Sequence, residues 1–210
     1  MAYSKYTNIL QACQSNFGQF CLIFPVSCLC KGALCGILIK KQESGKQAMY
    51  AKVTSLGVTG LAGYIVQVEA DLSGGLPQFN LVGLPDSAVK ESSERVRSAI
   101  KNLHYEWPAS RITINLAPAD VRKTGPVYDL PVFVGIMAAQ GKLPAPGSER
   151  AFLGELGLDG TLRPVTGVLP MALAAVQNGV KELFLPAENA AEAAVAEGLT
   201  VYPARSAQDV

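Results

Sequence analysis

Residues 50–58 and 60–72 are rich in valine, isoleucine, leucine and tyrosine, as β-strands are. Apolar and polar residues alternate over much of the second stretch, and a two-residue period is that of a β-strand with one buried face. The alternation is clearest in residues 65–72, where the even-numbered positions are all apolar and three of the four odd-numbered positions are polar. Thr59-Gly60 interrupts the apolar residues and is typical of a tight turn. The pattern therefore predicts a hairpin of two strands, residues 50–58 and 60–72.

A helical period follows a short third strand, which we predict at residues 78–82. Between residues 87 and 103 apolar residues recur at spacings of seven, four and three, so they share one face of a helix. Asp86 stands where a helix N-cap is expected. Glu91 and Arg95 have the spacing of an i,i+4 ion pair, which we place on the outer side. These signals predict one continuous helix over residues 87–103.

The second half of the chain mixes strands and helices without strict alternation. Residues 128–140 are apolar on nearly all sides, which predicts a buried helix, and Asp159-Gly160 predicts a hairpin turn. The other predicted elements are strands at residues 111–116, 152–158, 161–163, 182–185 and 199–202, and helices at residues 168–178 and 187–197. This mixture predicts an α+β fold, in which helices pack against a mixed β-sheet.

A change in composition divides the chain near Met49. Residues 1–48 hold all five cysteines, five lysines and one glutamate, which leaves 13 basic and 16 acidic residues for residues 49–210. The apolar run at residues 20–39 is interrupted by a proline and by Lys31, so it is a marginal membrane span. The cysteines form no paired C-x-x-C of the kind that holds zinc. We expect residues 1–48 to be an upstream extension outside the working domain, with a membrane anchor as the alternative.

Several motifs that carry chemistry are absent from the sequence. It contains no G-x-x-x-x-G-K-[ST] loop for a nucleotide triphosphate and no H-E-x-x-H zinc motif. The single histidine, His104, is expected to have a structural role. The net charge of +1 does not call for a nucleic-acid or membrane partner. We therefore predict no catalytic, cofactor-binding or metal-binding residue in this chain.

Three long segments carry a family resemblance, and they occur at residues 79–102, 111–141 and 152–194. They begin FNLVGLPDSAVKE, RITINLAPADVRK and FLGELGLDGTLRP. Together they resemble the N-terminal Lon-protease-like domain, also described as magnesium chelatase subunit I-like, of the YifB/ComM family of AAA+ ATPases. The resemblance covers the chain from Met49 onward.

The resemblance implies a fold for this domain and a larger parent protein to which the domain belongs. The fold would be that of the Lon proteolytic domain, related to the second domain of ribosomal protein S5, over residues 49–205. Residues 206–210 would begin a linker to an AAA+ ATPase domain, for which ATP and Mg²⁺ are implied. The parent protein would be a cytoplasmic motor that self-associates into a ring and acts on DNA in branch migration, recombination and natural transformation. No membrane partner is expected.

The resemblance also identifies where a protease would carry its catalytic groups. Lon-type enzymes use a serine activated by a lysine. The serine position is occupied by Val127 and the lysine position by Leu169. Neither side chain can attack a carbonyl or accept a proton, so we predict a domain without peptidase activity. Lys123 and Asp129 are candidates for a surface or loop-ordering role, and a local salt bridge or cap is the plainer alternative.

Two other functions remain open from the sequence. An active peptidase with a displaced dyad would need another serine, of which Ser87, Ser92 and Ser93 are available, although no lysine has a defensible spacing to them. A nucleic-acid-binding module is the second alternative. The acidic excess of residues 49–210 argues against strong binding driven by phosphate contacts.

Overall fold

The computed structural model describes residues 49–210, and the predictions for residues 1–48 lie outside the described residues. The elements in chain order are β1 (Tyr50–Thr59), β2 (Ala62–Ser73), β3 (Gln78–Val82), α1 (Ser87–Lys90), α2 (Ser92–Asn102), β4 (Arg111–Ala117), a 3-10 turn (Pro126–Tyr128), α3 (Asp129–Ala139), β5 (Arg150–Phe152), β6 (Glu155–Leu156), β7 (Leu162–Arg163), α4 (Val168–Gln177), β8 (Glu182–Pro186), a second 3-10 turn (Ala187–Asn189), α5 (Ala190–Ala193) and β9 (Thr200–Ala204).

Seven strands form one mixed sheet in the order β3-β4-β2-β1-β5-β8-β9. The pairs β1–β2 and β2–β4 are antiparallel, whereas every other neighbouring pair is parallel. The short strands β6 and β7 form a separate antiparallel pair. This arrangement confirms the predicted α+β fold with a mixed sheet. The predicted hairpin is also confirmed, because β1 and β2 pair along their whole length.

Helices α3 and α4 pack on opposite faces of the central hairpin. A Cβ added at Gly135 of α3 would lie 3.3 Å from the Cβ of Ala70, so this glycine lets α3 lie close to the face that carries the buried residues of β2. On the other face, a Cβ at Gly63 would lie 2.2 Å from the carbonyl oxygen of Pro170 in α4. Successive side chains of a strand point to opposite faces. Gly63 and Ala70 therefore contact helices on different sides of the sheet.

The buried helix is confirmed, because every residue of α3 is buried. The alternation in residues 65–72 is confirmed as well, with the even-numbered residues buried and the odd-numbered ones partly or fully exposed. The apolar residues of the sheet and of α3 form one continuous core with those of α2 and α4.

The predicted continuous helix over residues 87–103 is interrupted at Glu91, where α1 ends and α2 begins. Asp86 caps α1 as predicted, because its Oδ1 accepts a hydrogen bond of 2.8 Å from the amide of Val89. The side chain of Arg95 donates to the carbonyl of Ala88 at 2.9 Å. A side chain inserted at such a carbonyl competes with the backbone hydrogen bond that would continue the helix.

Two further boundaries differ from the prediction. Residues 152–158 are not one strand, because the chain leaves the main sheet at Gly154, which has a φ of 153°. There the amide of Gly154 donates to the carbonyl of Val127 at 3.0 Å, so this backbone contacts the 3-10 turn instead of β8. The predicted helix at residues 187–197 is shorter, with a 3-10 turn followed by the four residues of α5. Alanine-rich helices bury little area, and most helical stability in proteins comes from tertiary packing.

Candidate functional site

The two stretches that match the protease dyad motifs converge on one cleft. Residues 124–127 form one wall and residues 164–166 form the other, although about 40 positions separate them in the sequence. The cleft has a volume of about 410 Å³. Its apolar lining includes Val58, Val127, Val165 and Met171, and its one charged lining residue is Glu155.

The two dyad positions carry apolar side chains on different supports. Val127 lies in the 3-10 turn, is 7% exposed and lines the cleft. Leu169 lies in the first turn of α4 and is partly exposed, and its amide donates to Glu192 Oε1 at 2.8 Å. Leu169 is not among the residues that line the cleft. The cleft therefore contains neither a nucleophile at position 127 nor an amine at position 169.

Asp86 joins the wall of the cleft to the start of α1. One carboxylate oxygen caps α1, and the other accepts a hydrogen bond of 3.2 Å from the amide of Gly125. The amide of Asp86 donates to the carbonyl of Lys123 at 3.0 Å, while the amide of Lys123 donates to the carbonyl of Leu84 at 3.1 Å. Leu84 has a positive φ of 55°, which is uncommon for a residue with a side chain. These bonds hold residues 83–86 and 123–125 together as one unit.

Lys123 is fully buried, so the predicted surface role is wrong. Its Nζ donates to the carbonyls of Pro118 and Val121. Burial lowers the pKa of this amine, because desolvation disfavours the charged form. The glycine-containing loop that follows Lys123 does not fit a triphosphate, since its lysine is already bound to two carbonyls inside the fold.

Asp129 is also fully buried, so a surface role is wrong for this residue too. Its carboxylate accepts two hydrogen bonds from Arg95, Nε at 2.6 Å and Nη2 at 3.0 Å, and a third from the amide of Leu156 at 3.1 Å. Burial raises the pKa of the Asp129 carboxyl, and the hydrogen bonds from Arg95 oppose that rise. The same hydrogen bonds raise the pKa of Arg95. Asp129 does form a salt bridge, but its partner is 34 positions away and not local as predicted. The salt bridge joins α2 to α3, and the hydrogen bond from Leu156 adds β6.

Arg95 corrects another prediction from the helical pattern. Glu91 and Arg95 do form an ion pair at 3.6 Å, as their spacing predicts. The Arg95 side chain is only 17% exposed, however, because it points inward to Asp129 instead of lying on the outer side. Sequence spacing identified the weak partner of this arginine and missed the strong one, which is 34 positions away.

None of the three alternative serines is hydrogen-bonded to a lysine amine in the described residues. Ser92 is buried beside the Asp129 carboxylate. Ser93 is partly exposed and donates to the carbonyl of Lys90 at 3.2 Å, whereas Ser87 is exposed. His104 is exposed at the end of α2 with a positive φ of 63°. Its amide donates to the carbonyl of Lys101, which gives it a role in ending the helix.

Asn189 is a structural residue of the cleft that the sequence analysis missed. Its Oδ1 accepts from the amide of Val165 and its Nδ2 donates to the carbonyl of Val165, each at 2.9 Å. This pair of bonds fixes the second wall of the cleft in the way that a neighbouring strand would. No local pattern indicates the contact, because 24 positions separate the two residues.

Residues 49–210 contain neither a cluster of metal ligands nor a membrane-spanning helix. No group of three or more histidine, cysteine, aspartate or glutamate side chains is placed to hold a metal ion. In the same residues, no helix has the length and apolar character needed to cross a membrane.

Comparison with known proteins identifies similar sequences. The family model described as subunit ChlI of Mg-chelatase matches residues 68–189. The competence protein ComM of Haemophilus influenzae is 45% identical over 161 residues, which are 76% of this chain and 31% of ComM. The protein YifB of Salmonella typhimurium is 48% identical over 128 residues, 60% of this chain and 25% of YifB.

A more distant similarity links the chain to an active protease family. The Lon protease of Methanosarcina barkeri is 30% identical over 159 residues, which are 72% of this chain and 20% of that protease. The chain thus spans less than a third of the length of each of these relatives.

Proposed function

Because the chain belongs to the family described as subunit ChlI of Mg-chelatase, we propose that it is a non-catalytic N-terminal domain of a magnesium-chelatase-like AAA+ ATPase. The parent is proposed to be a cytoplasmic, ATP-dependent, DNA-processing motor that assembles into a ring and acts in recombination or natural transformation. ATP and Mg²⁺ would be bound by the ATPase part of the parent. The Haemophilus influenzae relative is named a competence protein, which supports the proposed role in natural transformation.

The observation that carries the non-catalytic assignment is the chemistry of the cleft. Val127 lines the cleft where a Lon-type nucleophile would be, and Leu169 stands at the position of its lysine. Removing a member of a catalytic unit costs orders of magnitude in rate. Lys123 cannot replace the missing amine without breaking its bonds to two carbonyls. The cleft walls are nevertheless held by Asp86 and Asn189, which supports a retained structural role.

A direct assay tests the absence of peptidase activity. The full chain is incubated with a fluorophosphonate probe and, separately, with fluorescent casein, beside a Ser92→Ala variant and an active Lon protease. We expect neither labelling nor hydrolysis by the chain. Labelling that is lost in Ser92→Ala would establish a displaced nucleophile and overturn the assignment, since Ser92 is the buried one of the three alternative serines.

A chimera tests the setting in a DNA-processing motor. Residues 49–210 replace the matching segment of ComM in Haemophilus influenzae, and transformation frequency is measured beside the parental strain and a strain that lacks the segment. We expect the chimera to restore transformation well above the strain without the segment. A chimeric protein that accumulates to normal levels but restores nothing would contradict the proposed role.

A further inference from the structure

We propose that Asn178 is a modification site, at which the side-chain amide is lost spontaneously to water and the resulting acid loosens the C-terminal end of α4. This proposal does not depend on the function proposed above. It rests on the residue that follows Asn178, on the exposure of this helix end, and on a hydrogen bond that the modification removes.

Asn178 is the one asparagine of the chain that precedes a glycine. In the reaction, the backbone nitrogen of Gly179 attacks the side-chain carbonyl carbon of Asn178. The C–N bond of the side-chain amide breaks, and ammonia leaves with the proton of the attacking nitrogen. Water then opens the five-membered imide to an aspartate or an isoaspartate, so one water is consumed and one ammonia is released. Glycine favours this ring because it has no Cβ to hinder the attack and the fewest backbone restrictions.

The reacting residues are open to water. Asn178 and Gly179 are both exposed and come directly after the last residue of α4. A Cβ added at Gly179 would have no atom within 4 Å, so no neighbouring side chain covers the attacking nitrogen. Gly179 has a φ of 78°, the left-handed conformation in which many helices end. Neither the attack nor the hydrolysis of the imide is therefore blocked by packing.

Hydrogen bonds at this helix end restrain the reaction. The amide of Gly179 donates to the carbonyl of Val176 at 3.1 Å. The amide of Val180 donates to the carbonyl of Ala175 at 3.0 Å, and the two bonds together form a Schellman motif. Because the attacking nitrogen takes part in this motif, the imide forms when the last turn of α4 opens. Helix ends open locally at a lower free energy than the core does.

The modification removes one further hydrogen bond and adds a charge. The Nδ2 group of Asn178 donates to the carbonyl of Ala174 at 2.8 Å. A carboxylate has no hydrogen to donate, so this carbonyl would face a negative charge in place of a donor. The C-terminal end of a helix is already the negative end of its dipole, which makes the added charge unfavourable. The isoaspartate form also lengthens the main chain by one carbon and shifts the amides of the Schellman motif away from their acceptors.

Peptide mapping by mass spectrometry tests the reaction. The full chain is incubated in mildly alkaline buffer, and the conversion of each asparagine to an acid is followed over days. The matched control within the same chain is Asn102, which is exposed at the end of α2, donates to a carbonyl at 2.7 Å and is followed by leucine. We expect conversion at Asn178 to be about tenfold faster than at Asn102. Equal rates at the two residues would overturn the proposal.

The same measurement in urea tests the restraint by the helix end. Urea opens the last turn, so conversion at Asn178 should be faster than in the native chain. A rate that urea leaves unchanged would overturn the part assigned to the hydrogen bonds.

Two variants test the consequence for α4. Asn178→Asp supplies the aspartate product in every molecule, and amide hydrogen exchange of Val180 is compared with that in the natural chain. The matched control is Gln177→Glu, which adds the same charge at the neighbouring exposed residue and keeps the bond from Asn178 to Ala174. We expect exchange in Asn178→Asp to be about three- to tenfold faster than in the control, as the loss of one hydrogen bond predicts. Equal exchange in the two variants would contradict a loosened helix end.

Discussion

The buried ion pair between Arg95 and Asp129 should be among the costliest interactions to break in this fold. Asp129→Asn keeps the shape of the side chain and an oxygen that can accept from the amide of Leu156. It removes the charge that pairs with Arg95 at 2.6 Å. The substitution therefore measures the effect of removing the charge while the packing of α3 is kept.

The expected magnitude follows from the burial of the two partners. Removing one member of a buried pair costs about 3–5 kcal/mol because the other charge is left uncompensated. Arg95 keeps 17% of its side chain exposed, so water can solvate part of the unpaired guanidinium. We therefore expect Asp129→Asn to lower the free energy of unfolding by about 3 kcal/mol, at the low end of that range.

Arg95→Met should show a pH dependence that Asp129→Asn lacks. Without Arg95, the largest of the effects that oppose burial is lost, so the folded-state pKa of Asp129 rises further above its ordinary value of 3.8. The folded variant then binds a proton more tightly than the unfolded chain does. Its stability is gained as the pH falls toward the raised pKa and is lost as the pH rises. The variant should be most destabilised, relative to the natural chain, near neutral pH.

Urea unfolding followed by Trp107 emission measures both effects. With a slope of about 2 kcal/mol per molar urea, a loss of 3 kcal/mol moves the midpoint down by about 1.5 M. The control is Arg163→Met, which breaks the more exposed pair with Glu155 at 3.4 Å and should cost less than about 1 kcal/mol. The reasoning is refuted if Asp129→Asn costs no more than that control. It also fails if the deficit of Arg95→Met does not change between neutral and acidic pH.

Three further predictions concern other parts of the fold. Gly63→Ala should destabilise the chain by about 2–3 kcal/mol in urea unfolding, because its Cβ would lie 2.2 Å from a carbonyl oxygen of α4; Gly74→Ala, with nothing within 4 Å, is the control and should change little. Burial lowers the pKa of Lys123 below 10.5, so the unfolded chain holds that proton more tightly and stability should rise with pH below that value. Lys123→Met should remove the part of this rise in unfolding free energy that comes from Lys123. If the unfolding free energies of the variant and the natural chain rise equally between neutral and mildly alkaline pH, the prediction is wrong. Pro203→Val restores an outward amide on β9 and should increase concentration-dependent self-association in sedimentation; unchanged sedimentation would show that this proline does not protect the edge.

Local sequence patterns were sufficient to predict those elements in which side-chain exposure follows one regular pattern along the chain. The second half of β2 and the buried helix α3 could be predicted because each has a simple exposure pattern: one more exposed face in residues 65–72, and none in α3. The cap by Asp86 could be predicted because a cap bonds within one turn of its own residue. The absence of a nucleophile and amine at the dyad positions could also be read from residue identities alone.

The breaks in the elements could not be predicted in this way. The interruption at Glu91 and the departure of the chain at Gly154 both involve contacts with residues that are distant in sequence. Local propensity depends only on the residues of one segment. The inward direction of the Arg95 side chain depends instead on the Asp129 carboxylate, which lies on another helix. The surface roles expected for Lys123 and Asp129 were wrong for the same reason, because charged side chains are rarely buried without a partner and the partners were not visible.

What the sequence determined by itself was the class of fold and the family, because both depend on residue type, order and period. What only the tertiary structure decided was which residues meet. It brought residues 124–127 and 164–166 to one cleft, paired Arg95 with Asp129, and placed Trp107 beside the open edge of β3. Such contacts depend on how strands and helices pack across the sheet, and packing distances are not encoded in the spacing along the chain.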